Sequence, residues 1–339
     1  MRWVVLFLLF IVQCSFGVQY AHADKKRLKR TIAKADSILT SRYFRTGYDT
    51  NYVTRPEAGR LTLKVKGNMT GNGVRARGTV HNTYFKSHLK TDYKTTIAIA
   101  AAYRGLAASF SINPAKIKGT YNDYELNLNY YARRFSINAS YQRSTSLAGN
   151  MDYGGQAHQM KEGYSKMHIF NITGYYIFNH RRYSVASAFT QSYIQRRSAG
   201  SWLLGFSYQG GNIKTSDLLK EVSPEAPDVR IYCGHVGIGG GYGYNLVLGK
   251  KWLLHLSLLP TIVVYNRNKL TINGESQHAK QMRFNMLFNE RAAVVYNFSP
   301  RYFLGINALA TNSLFIDKAM TVHQNKWNAS AFVGMRLWK

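Results

Sequence analysis

The chain has 339 residues, of which 45 are lysine or arginine and only 16 are acidic, for a formal charge of +29. So few acids weigh against an ordinary helical enzyme, and so large a surplus calls for anionic surroundings: nucleic acid, phosphorylated lipid or an anionic solute. Tyrosine (25) outnumbers phenylalanine (17), and 28 glycines stand beside 6 prolines, a balance that suits long strands paired on both edges.

In chain order, Arg2 precedes an apolar run, Trp3–Val12, and Ala21-His22-Ala23 supplies a small-x-small cleavage pattern. The run is too short to span a bilayer, so residues 1–23 are expected to be a signal peptide cut after Ala23. Cys14 offers a lipoprotein alternative, but Gln13 is the wrong size for the position before such a cysteine. Cleavage leaves Cys233 alone, without a disulfide framework, and a lone thiol is expected to be a packed small residue. Export removes nucleic acid as a partner and leaves lipid phosphate or a small anion.

Residues 24–56 form the next unit. A basic cluster, Lys25-Lys26-Arg27 with Lys29-Arg30, is followed by Leu28, Ile32, Ala35 and Leu39 at helical spacing. A periplasmic helix is expected here, lying either on the rest of the protein or on an anionic membrane surface. Arg42–Pro56 is an irregular connection.

From residue 57 to the end, period-two alternation dominates. One face of Tyr93–Tyr103 carries Tyr93, Thr95, Ile97, Ile99, Ala101 and Tyr103. Similar stripes include Phe135, Ile137, Ala139, Tyr141, then Trp202, Leu204, Phe206, Tyr208, then Trp252, Leu254, Leu256, Leu258, and Trp327, Ala329, Ala331, Val333. In several, aromatic residues stand at the ends and aliphatic ones between, as on a strand facing lipid. The opposite faces are rich in Ser, Asn, Gly, Ala and Thr, which fit a crowded barrel interior; a soluble sandwich would carry many Lys and Glu there. The expected fold is all-β: an antiparallel transmembrane β-barrel of about 12 strands with a short N-terminal periplasmic helix. A soluble periplasmic sandwich is the structural alternative.

Short basic connections (Arg104-Gly105, Arg133-Arg134, His180-Arg181-Arg182, Lys250-Lys251, Pro300-Arg301) alternate with long ones (Asn113–Tyr121, Ser144–Ser165, Gly210–Arg230, Asn266–Lys280, Asn312–Lys326). Outer-membrane barrels have short periplasmic turns and long outer loops. The alternation holds throughout only if Tyr183–Gly200 does not span. Residues 183–200 are therefore expected to enter the lumen or cap the periplasmic mouth, with both chain ends periplasmic. The first strand falls within Leu61–Tyr84, which could instead be a hairpin.

Gly237-Ile238-Gly239-Gly240-Gly241-Tyr242-Gly243 lacks the βαβ context of a nucleotide loop and is expected to make room for bulky neighbours. The scattered histidines show no zinc spacing, so no metal and no cofactor is assigned; His235 and His255, on inner faces of adjacent strands, could share a site. A barrel esterase is the enzyme alternative and would need serine, histidine and an orienting group at the lipid-facing rim. Ser87-His88 is one place to look, but no nucleophile carries a recognisable motif, and no catalytic residue is assigned. In Gln191–Ser198, two guanidinium groups, two amides and three hydroxyls would approach the axis, making Gln191, Tyr193, Gln195, Arg196 and Arg197 candidates for anion binding or lumen lining. The same residues could simply satisfy buried backbone in a plug. The basic turns could bind phospholipid headgroups.

The stretches Lys90-Thr91-Asp92-Tyr93-Lys94-Thr95, Tyr103-Arg104-Gly105-Leu106 and Asn113-Pro114-Ala115-Lys116, with Gln191–Ser201 and Gly239–Asn245, resemble a Bacteroidota envelope family known only as a domain of unknown function. The resemblance runs from about Tyr48 to the C-terminus. It implies an exported outer-membrane barrel and no substrate, cofactor or catalytic position. Leu337-Trp338-Lys339 departs from the terminal aromatic that many such barrels carry, because Trp338 is penultimate. The functional expectation is an outer-membrane protein in contact with phospholipid or lipopolysaccharide phosphates. It would be a narrow, plugged, anion-favouring conduit or a binder of an anionic envelope component, with a lipid-modifying esterase as the alternative.

Overall fold

The period-two pattern closes on itself. In a computed structural model, which describes residues 30, 33–34, 37–38, 47–56, 61–80, 83–91, 94–103, 106–112, 124–145, 147–222, 225, 227–278, 282–317 and 320–337, twelve strands form the wall. They are β1 (Leu61–Val80), β2 (Lys94–Tyr103), β3 (Leu106–Ile112), β4 (Tyr124–Tyr131), β5 (Phe135–Ser144), β6 (Ser165–Ile177), β7 (Ala199–Thr215), β8 (Val229–Leu248), β9 (Trp252–Asn266), β10 (Met282–Asn297), β11 (Tyr302–Asp317) and β12 (Met320–Leu337). Each pairs antiparallel with its sequence neighbours, and β12 returns to β1 from Leu337↔Leu61 to Met320↔Gly78. A closed wall leaves no open sheet edge. The expected signal peptide and most of the expected basic helix lie outside the described residues.

Alternation sorts the side chains. Trp202 (68% exposed), Leu256 (67%), Val65 (61%) and Val333 (61%) point outward, and so broad an apolar surface is stable only against another apolar phase. At the short-turn end the outward aromatics meet across strands: Trp252 lies 4.6 Å from Tyr296 and Trp202 5.2 Å from Tyr242, ring centre to ring centre. Such belts sit at headgroup level. A one-residue slip would turn the whole stripe inward, so burial fixes the register.

The long connections are more ordered than loops. In one, Leu147–Tyr153 forms a hairpin with Gln156–Met160, and in another Lys269–Ile272 does so with Glu275–His278. The expected loop Asn312–Lys326 is instead the top of two wall strands, with Phe315 paired to Val322. Alternation carries on through Phe315 and Val322, both buried, and that keeps the chain extended. The Leu61–Tyr84 question resolves as both readings. The 20 residues of β1 run the height of the wall, and their upper half also forms a hairpin with Thr83–Thr91. Inward side chains at this end, among them Val74, Phe85, Leu147, Met167, Phe315 and Val322, pack into an apolar cap.

The stretch after Ile177 leaves the wall. Val185–Phe189 forms the short helix α1, buried at every position, and Ile194–Gln195 pairs with Val53–Thr54. With residues 47–56 it forms a plug at the short-turn mouth, where Tyr48, Val53, Tyr183, Phe189 and Tyr193 pack against wall residues such as Tyr175, Leu203 and Val295.

Candidate functional site

Between the apolar cap and the plug lies a cavity of about 180 Å³, room for several waters or a small polar solute. Its lining is mostly asparagine, serine and alanine from the inner faces, with Phe189 and Thr190 of the plug beneath. Among the described residues, four cations reach it (Lys64, Lys66, Arg291 and Lys326) along with one lumen-facing carboxylate, Glu125; Glu290 borders it but is exposed on the outer face. Lys326 Nζ lies 3.3 Å from Glu125 Oε1, so Lys64, Lys66 and Arg291 carry the surplus.

Two of these cations also hold the plug. Lys64 Nζ donates to the Phe189 carbonyl at 2.6 Å and to Gln191 Oε1 at 2.9 Å. Arg291 donates to Tyr175 Oη at 3.1 Å, with its guanidinium 6.0 Å from the Phe189 ring centre. Below them, Arg336 donates through Nε to the Gln191 carbonyl at 2.8 Å. Gln191 has φ +56° just past the end of α1, a position that favours glycine, and these bonds fix it there.

Of the residues singled out in the sequence, Gln191 (0%), Gln195 (5%) and Tyr193 (7%) are buried inside the plug. Arg196 and Arg197 are exposed, so their guanidinium groups do not line the cavity. Once Gln195 has turned inward, the strand pairing turns Arg196 out, its amide bonded to the Tyr52 carbonyl at 2.7 Å. Ser87 is buried and His88 faces outward, because neighbours on a strand point to opposite faces; they make no pair. His235 stacks on Phe315 in the cap at 3.7 Å, whereas His255 lies beside Tyr183 and Phe189 of the plug, so the two share no site. Gly237, Gly239, Gly241 and Gly243 lie on the inner face of β8, with Ile238, Gly240 and Tyr242 outward, and a methyl on Gly243 would strike the Tyr183 hydroxyl.

The sequence reading placed His255 on an inner face but paired it with His235, and it missed Asn245 and Ser257. His255 Nδ1 lies 2.7 Å from Asn245 Oδ1, and its Nε2 lies 3.1 Å from Ser257 Oγ. The signal was present: in His255-Leu256-Ser257, period two puts the imidazole and hydroxyl on one inner face. Burial pushes the Tyr48 phenol up to about 12 and Tyr183 well above its ordinary value, so both plug phenols keep their protons as donors.

These features define a closed, plugged β-barrel with a membrane-facing apolar band and a cationic cavity in its lumen. The chain belongs to the DUF4421 family, a domain of unknown function, which it matches over residues 47–336. No curated protein matches it by sequence. Among solved structures it is similar to the outer-membrane protease OmpT from Escherichia coli, with 7% identity over 83% of this chain and 97% of that one and a TM-score of 0.41. It is also similar to the translocator domain of the autotransporter NalP from Neisseria meningitidis (13%, 91% and 98%, TM-score 0.28) and to the outer-membrane protein OprG from Pseudomonas aeruginosa (8%, 83% and 98%, TM-score 0.27). Likeness at this level says nothing about function.

Proposed function

We propose that this protein is a bacterial outer-membrane barrel that takes a small anion into its central cavity, with the plug governing passage at the periplasmic, short-turn end. The carrying observation is that Lys64 and Arg291 face the cavity and hold Phe189 at the same time. An anion that engages them competes with the plug, so occupancy and plug position are coupled. Arginine and lysine facing one lumen favour anions over cations.

A second observation supports contact with phosphate-bearing lipid at the outer rim. On the outward face of the projecting hairpin, Arg77 stands directly opposite Lys86. Like charges in cross-strand register are destabilising on their own; a lipid phosphate between them relieves the repulsion.

Planar-bilayer recordings test the cavity reading. The folded chain should be nearly silent, and Gly243→Val, which displaces Tyr183, should carry an anion-selective current that Lys66→Gln weakens. A cation-selective current would sink it.

A further inference from the structure

The hydrogen bonds around His255 have directions that the chemistry fixes without ambiguity. Gln195 Nε2 donates to the carbonyls of Arg182 (2.6 Å) and Arg197 (2.9 Å), so Gln195 Oε1 is an acceptor. It accepts from Asn245 Nδ2 at 3.0 Å, and the same nitrogen donates to the Ser184 carbonyl at 3.0 Å. Asn245 Oδ1 must therefore face His255, where it can only accept. The proton sits on His255 Nδ1, and Nε2 is left bare to accept from Ser257 Oγ. A serine whose hydroxyl points at an imidazole held in the right tautomer by a third group is the arrangement that activates a nucleophile.

Two donors stand beside Ser257. Arg291 is the direct cross-strand partner of Ser257, on the same inner face. Tyr183 is wholly buried, and its hydroxyl has no hydrogen-bond partner among the described residues. That hydroxyl projects into the empty side-chain position of Gly243, 3.2 Å from which lies Ser257 Cβ. A buried donor without an acceptor costs free energy unless something fills the role.

We infer that Asn245, His255 and Ser257 form a hydrolytic site for a carboxylic ester, on the seam between wall and plug. Ser257 Oγ bonds to the ester carbonyl carbon while its proton passes to His255 Nε2. Arg291 and Tyr183 hold the oxyanion. As the tetrahedral centre collapses, the carbon–oxygen bond to the alcohol breaks and His255 returns the proton to that oxygen. Water then adds to the acyl-serine and gives a proton to His255; the bond from the acyl carbon to Ser257 Oγ breaks, His255 returns that proton to Oγ, and the carboxylic acid leaves. Leu203, Leu259 and Phe189, in the same packed cluster, suit an apolar acyl group. Arg291 belongs to both the cavity wall and this seam, so the cavity is the way in. Phe189, whose ring centre is 5.0 Å from that of His255, stands across it. Entry thus rests on the cavity reading, whereas the chemistry does not need the barrel to conduct. Asn245 and Gln195 act through His255 and are positioning residues.

The test uses the full chain folded in detergent, with an alkyl fluorophosphonate as probe and mass spectrometry to locate the adduct. Wild type should be modified at Ser257, and Phe189→Ala faster. Ser257→Ala should give no adduct there, and His255→Ala, if its gel mobility shows a folded barrel, should slow modification on the order of a hundredfold or more. Asn245→Ala should slow it too and move its pH dependence, which a merely structural asparagine would not do. Absence of an adduct at Ser257 in both wild type and Phe189→Ala overturns the proposal, as does an adduct indifferent to His255→Ala. Anion binding in the cavity should survive Ser257→Ala, so the two readings fail separately.

Discussion

The Lys64 ammonium lies 2.6 Å from the carbonyl of Phe189, joining the first wall strand to the last residue of the plug helix across 125 residues of chain. Both groups are buried. A buried ammonium is costly unless its protons are taken up, and here the plug backbone takes them up. The same bond gives that backbone a donor it would otherwise lack in the lumen.

Lys64→Met keeps most of the volume and removes both bonds. Hydrogen bonds to charged groups contribute about 1.5–3 kcal/mol each, so the plug should loosen before the wall does. Chymotrypsin should then cut at Phe189 or Tyr183 in the folded variant, where wild type resists. Equal resistance would show that Lys64 does not hold the plug.

Gly243→Val places carbon where the Tyr183 hydroxyl now sits. Overpacking of this kind costs roughly 1–3 kcal/mol. The unfolding midpoint in urea should fall, and the same chymotryptic sites should open. Gly240→Val is the control: it stands on the outer face, where an added carbon meets no atom closer than 3.8 Å, and should leave the plug closed.

At the rim, Lys86→Glu turns a like-charge pair with Arg77 into an opposite one. The substitution should stabilise the detergent-folded barrel by roughly 0.2–1 kcal/mol and weaken its retention on vesicles rich in phosphorylated lipid. If both readouts move in the same direction, lipid phosphate is not what the pair is for.

Glu290 points outward between Leu258 and Ala310 on the adjoining strands. An acid on the lipid face disfavours insertion, so Glu290→Val should raise stability in vesicles by about 1 kcal/mol. No gain would mean that Glu290 lies above the hydrocarbon.

Much of the wall was legible because lipid imposes a strict rule. Stripes such as Trp202-Leu204-Phe206-Tyr208 record which face meets hydrocarbon, and their count gives twelve strands. The upper wall was harder to see: above the membrane, Phe315 and Val322 pack within the protein, and neither side needs the aromatic belts that mark a span. The plug sequence showed polar groups without showing their partners. Arg196 and Arg197 looked like lumen residues because nothing local reveals that Val53–Thr54, some 140 residues earlier, pairs with Ile194–Gln195 and sets which side chains turn inward. Asn245 was invisible for the same reason, since its meaning depends on Gln195 and His255 arriving from other segments. The charge surplus was plain, but which four cations share one cavity depends on register.

The most direct test of the cavity is calorimetric titration of inorganic phosphate into the detergent-folded full chain. Wild type and the rim variant Arg77→Gln should each show one saturable site and a higher unfolding midpoint as phosphate is added. Lys66→Gln, folded by gel mobility, should lose both effects. Phosphate binding that is undiminished in Lys66→Gln and abolished in Arg77→Gln would contradict the account, placing the anion on the rim and leaving the cavity empty.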